Sequence, residues 1–90
     1  MENNMLRQYI KTKAQEDFVN DVLSFIENKN EIVMSYNDLE FVVDPHGDSI
    51  VIYSFGKTIA EYTDVNDFLL NHKIDGKSVI EMFSEIDYSL

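Results

Sequence analysis

The hydrophobic residues of this chain change their spacing twice, and that change limits what it can fold into. Leu6, Ile10, Ala14, Phe18, Val22 and Ile26 recur every four residues, with Tyr9 and Phe25 beside them. This is the apolar stripe of an amphipathic helix running from Met5 to Ile26. Lys11, Gln15, Glu16 and Asp21 fall off the stripe and are expected to face water. Asn28-Lys29-Asn30 ends the helix, because Asn tolerates the left-handed C-cap conformation and Lys suits the negative helix end. From Glu31 to Tyr62 the pattern becomes short alternating runs, and from Asp64 to Leu90 helical spacing returns.

The alternating region reads as four strands. Glu31 to Tyr36 and Leu39 to Asp44 form a hairpin around Asn37-Asp38, a favourable two-residue turn. That turn sets Tyr36 opposite Leu39, Met34 opposite Phe41 and Ile32 opposite Val43, so all six share one face, as burial requires. Pro45 to Asp48 is a loop, and Ser49 to Ser54 a third strand with Ile50 and Ile52 on the same inner face. Thr58 to Tyr62 follows Phe55-Gly56 as a short fourth strand, with either Ile59 or the Ala60/Tyr62 pair inward.

Two helices are expected after it. Thr63 or Asp64 caps the first, whose apolar side is Val65, Phe68 and Leu69. Asp75 caps the second, where Val79, Ile80, Phe83, Ile86 and Leu90 recur. The order is α-β-β-β-β-α-α: an α+β domain in which a four-stranded antiparallel meander sheet carries helices packed on one face, with the first and last helices together.

Ninety residues leave room for one core, so 1–90 reads as a single compact domain. The hydrophobic content of 44% argues against disorder. With no Cys there is neither a disulfide framework nor a thiolate zinc site. The first residues lack the basic and apolar regions of a signal peptide, and no apolar run approaches the roughly 20 residues that span a bilayer. The expected location is therefore cytoplasmic. Arg7 is the only Arg and Pro45 the only Pro, whereas Ile, Asn and Lys are common. That codon bias fits an AT-rich bacterial or phage genome.

A net charge of -10 disfavours direct binding to nucleic acid or to an anionic membrane, since both need a basic footprint. It permits a basic protein partner. The segment Asn30 to Gly56 holds five acids (Glu31, Asp38, Glu40, Asp44, Asp48) and no Lys or Arg.

The sheet's second face is the candidate site. It receives Val33, Val42, Val51 and Tyr53, edged by Glu40 and Asp44, and an apolar centre with a charged rim is how many protein interfaces are built. The competing reading is an ordinary solvated face whose valines reflect β-propensity. Asp44-Pro45-His46-Gly47-Asp48 gathers ligand-type groups, but it lacks the spacing of an EF-hand and reads better as a turn. His72 reads as a helix-end residue. Gly76-Lys77-Ser78 imitates the end of a phosphate-binding loop, yet Asn71 stands where the earlier Gly belongs. Glu81 and Glu85 sit at i, i+4 and read as a solvated helix face. No nucleophile elbow is present. A metal-dependent or hydrolytic enzyme would need a pocket joining His46 or His72 to carboxylates.

The sequence thus points to a small, acidic, non-enzymatic protein-interaction domain with no cofactor or metal. The alternative is an acidic inhibitor that mimics nucleic-acid charge against a DNA- or RNA-binding protein. A homodimer through the second face or a sheet edge is also open.

Overall fold

A computed structural model of the chain describes residues 8–89. Helix α1 spans Lys13–Glu27. Four strands follow: β1 (Ile32–Tyr36), β2 (Leu39–His46), β3 (Ser49–Ser54) and β4 (Lys57–Tyr62). After helix α2 (Val65–Asn71) come a small hairpin, β5 (Lys73–Ile74) and β6 (Lys77–Ser78), a 3-10 turn (Phe83–Glu85) and β7 (Asp87–Ser89). The main sheet has five strands in the order β4-β3-β2-β1-β7, all pairs antiparallel. The fold is α+β, with an antiparallel meander and its helices on one face, as the hydrophobic pattern requires.

Helix α1 begins later than its stripe suggests. The Thr12 hydroxyl accepts a hydrogen bond from the Gln15 backbone N–H at 3.1 Å, which fixes the N-cap there. Ile10 lies before the helix and packs against the core, while Leu6 lies outside the described residues. The inward face is Gln15, Phe18, Val19, Val22 and Ile26, so the stripe is rotated and Ala14 is exposed. Gln15, read from sequence as solvent-facing, is buried. Its amide accepts from the Lys11 N–H at 2.6 Å and donates to the Ile80 carbonyl at 3.3 Å. A long polar side chain that satisfies both ends can close a helix over a distant segment.

The helix ends as a Schellman motif. The N–H of Lys29 donates to Ile26 O and that of Asn30 to Phe25 O, at 3.0 and 2.9 Å. The left-handed residue is Lys29, at φ 63°.

The meander register agrees with the alternation. Ile32 faces Val43, Met34 faces Phe41, Tyr36 faces Leu39, and Val43 faces Ile52. Pro45 pairs with Ile50 beyond the reach of β1, so its missing N–H leaves no β1 partner wanting. A bulge opposite Tyr53 breaks the β3–β4 register and places Ala60 and Tyr62 inward against Ile52 and Ile50. Ile59 then points to the second face.

Asp64 caps α2 by accepting from the Asp67 N–H at 2.8 Å, and Val65, Phe68 and Leu69 are buried, as expected. The final segment differs from its helical spacing. Asp75 and Gly76, at φ 52° and 81°, form the β5–β6 turn, so Asp75 caps nothing. Ser78 and Glu81 do form a reciprocal capping box: the Glu81 carboxylate accepts from the Ser78 N–H at 2.9 Å, and Ser78 Oγ accepts from the Glu81 N–H at 3.4 Å. The helix aborts nonetheless. The chain becomes extended at Ile86, and β7 pairs with β1, setting Tyr88 opposite Met34. Strand β1 would otherwise leave a row of backbone groups unpaired, and pairing there satisfies them in a way that a surface helix does not. Val79, Ile80 and Ile86 are buried as their spacing implies, with Phe83 partly so. Their inward direction survives the change of backbone. Leu90 lies outside the described residues.

Candidate interaction surface

Both helices and the segment around Ile80 pack with Ile32, Met34, Phe41, Val43, Ile50 and Ile52 in one core. The opposite face of the sheet carries no helix among the described residues. Alternation places Val33, Glu40, Val42, Asp44, Val51 and Tyr53 on it together, through the pairs Val33–Val42, Val42–Tyr53 and Asp44–Val51. The face also receives Ile59, Glu61, Asp87 and Ser89, from strands whose register was unresolved or which were expected to be helical.

The residues form cross-strand rows. The central row runs Ser89, Val33, Val42, Tyr53, with the Thr58–Ile59 bulge at its end. One flanking row is Asp44, Val51 and Glu61, and the other is Asp87, Ser35 and Glu40. Same-face rows lie about 7 Å apart along the strands. An apolar band therefore has a pair of carboxylates on each side. Val51 is buried between Asp44 and Glu61, whereas Ile59 is 52% exposed. Glu61 accepts from the Ser49 hydroxyl at 2.9 Å, which orients it on the face. No ion pair among the described residues involves these four carboxylates. The recorded pair, Lys13 with Asp17, lies on α1.

One end of this surface carries Phe55. With Gly56 it makes the two-residue turn between paired Ser54 and Lys57, at φ 53° and 77°. Such a turn favours Asn-Gly or Asp-Gly, and the left-handed conformation costs other residues about 1–2 kcal/mol. The Phe55 ring is 90% exposed. The cue in the sequence is the mismatch itself, an aromatic residue where turn chemistry asks for Asn.

The remaining chemistry-bearing residues do not converge. His46 is exposed at the end of β2. His72 is buried, stacked on Phe68 and packed against Phe41, with Nδ1 and the Tyr62 hydroxyl sharing a hydrogen bond of 2.9 Å. Gly76-Lys77-Ser78 lies in a hairpin, and the Ser78 hydroxyl donates to Glu81 at 2.8 Å. Among the described residues, no three His, Asp or Glu side chains stand close enough to hold a metal ion. An open groove before α1, lined by Ile10, Lys11, Thr12, Lys13 and Glu16, holds neither histidine. No helix among the described residues is long and apolar enough to cross a membrane.

Desolvation holds the His72 imidazole below its ordinary pKa. The groups facing it are the uncharged Tyr62 hydroxyl from β4, Phe41 from β2 and Phe68 from α2. Because the folded pKa is depressed, the unfolded chain binds a proton first as pH falls. His72 therefore favours folding fully above the unfolded pKa of about 6.5. That contribution is lost as pH falls from there through the folded value. Chemical denaturation should show stability declining below about pH 6.5, with a shallower decline in His72→Leu. An unchanged slope in the variant would assign the decline to the carboxylates instead.

The fold and this surface define a class: a small α+β domain with one helix-covered sheet face and one apolar, acid-rimmed face. No protein-family model matches the chain, and no curated protein or solved structure matches it.

Proposed function

We propose that this chain is a non-enzymatic protein-interaction domain whose uncovered sheet face docks against a basic protein. The observation that carries the reading is the row Val33, Val42, Tyr53 and Ile59, bounded by Asp44 and Glu61 on one side and Glu40 and Asp87 on the other. Burying the apolar row supplies affinity, while the carboxylates select a partner with Lys or Arg around an apolar centre and steer its approach. Two copies meeting face to face would oppose like charges, so the reading favours a heterologous partner. No cysteine ties the fold to an oxidising compartment, and the cytoplasm is the location this reading assigns.

The test is affinity capture from the native host with wild-type protein and Val42→Ser/Tyr53→Ser. A basic protein held by the wild type should lose at least tenfold in affinity with the variant, provided the variant still folds by circular dichroism. Equal binding by the folded variant would reject the face. The charge-mimic alternative draws on the same four carboxylates. It predicts binding that survives the double substitution, collapses on Glu40→Lys/Asp44→Lys and falls steeply with salt.

A further inference from the structure

We infer that Phe55 is the anchor of this surface, inserting into an apolar pocket of the basic partner; this rests on the sheet-face reading above. Three observations carry it. The left-handed positions of the other hairpin turns hold residues such turns favour, Asn37, Gly47 and the Asp75-Gly76 pair, while Lys29 takes that conformation at the end of α1. At Phe55 a bulky aromatic holds the same strained conformation, so local turn chemistry does not account for it. Core packing does not account for it either, because the ring is 90% exposed.

Position is the third observation. Phe55 follows the last residue of β3, two positions beyond Tyr53, and so stands where the sheet ends, level with the flanking row that holds Glu40. The Ser54 hydroxyl donates to the Glu40 carbonyl at 3.1 Å and holds that end of β3 against β2, beside the acidic rim. Lys57 is the one base of the hairpin. An exposed aromatic on a short rigid turn loses little freedom when it docks, which is the character of a binding hot spot. The partner's pocket is accordingly apolar within and rimmed by Lys or Arg.

The experiment places the photocrosslinker p-benzoylphenylalanine at position 55, at 53 on the face, or at 16 on the exposed side of α1. The full chain is expressed in its native host. The expected result is an adduct from 55 and 53, but not 16, with one basic protein. The site joined to position 55 should map to a pocket bordered by Lys or Arg. The isolated partner should then bind Phe55→Asn at least tenfold more weakly, while that variant melts a few degrees higher because Asn suits the turn. A role confined to folding would not separate the two readouts. An adduct from 53 without one from 55, or full affinity in Phe55→Asn, overturns the anchor and leaves the face standing. Position 55 joining a second copy of this chain also overturns it. Adducts from neither 53 nor 55 overturn both.

Discussion

Phe68→Ala is expected to cost about 3–5 kcal/mol, the range for removing a fully buried aromatic ring. Phe68 is 0% exposed and supports one side of the core. Its ring stacks on His72 at 5.6 Å and meets Tyr62 edge-on at 5.9 Å, and His72 in turn reaches Phe41 at 5.2 Å. Truncation would leave a cavity beneath α2 and open a route for water to His72. Domains of this size are held by about 5–15 kcal/mol in total, so the loss is a large share. The midpoint of thermal unfolding should fall by roughly 12 °C or more. Phe68→Leu, which keeps most of the volume, should cost less than the alanine change. A drop of only a few degrees in Phe68→Ala would show that the α2 side of the core can collapse or that it contributes little.

Tyr88→Ala is expected to cost about 2–3 kcal/mol, less than a fully buried ring because Tyr88 is half-buried. Its ring meets Phe18 edge-on at 5.3 Å and approaches Phe25 at 6.4 Å, and its hydroxyl donates to Asp21 at 2.8 Å. That bond and burial both raise its pKa. The same side chain holds β7 on β1, so the substitution should also free the β1 edge. Hydrogen exchange at Val33 and Ser35 should then accelerate more than at the central β2–β3 pairs. Uniform acceleration would mean that β7 and the meander open as one unit, whereas unchanged exchange would contradict the pairing of Met34 with Tyr88.

These two residues also divide what was legible in the chain from what was not. The place of Phe68 follows from the spacing of Val65, Phe68 and Leu69 behind an Asp cap, all local information. Tyr88 does not, because its partner Met34 is far away in sequence. The six face residues Val33, Glu40, Val42, Asp44, Val51 and Tyr53 could be placed together from strand alternation and one two-residue turn. Ile59 and Glu61 could not, since the bulge opposite Tyr53 shifts the register without a local signal. Asp87 joined the face only because its segment became a strand.

The sequence by itself determined the spacing within each segment, the register of β1, β2 and β3 and the direction in which most apolar side chains point. Those depend on neighbouring residues and on the demand that one face be buried. Tertiary structure alone decided whether the last apolar segment coils or extends. Val79, Ile80, Phe83 and Ile86 can point inward in either conformation. Burial was therefore neutral between the two, and the open hydrogen-bonding edge of β1 selected the strand.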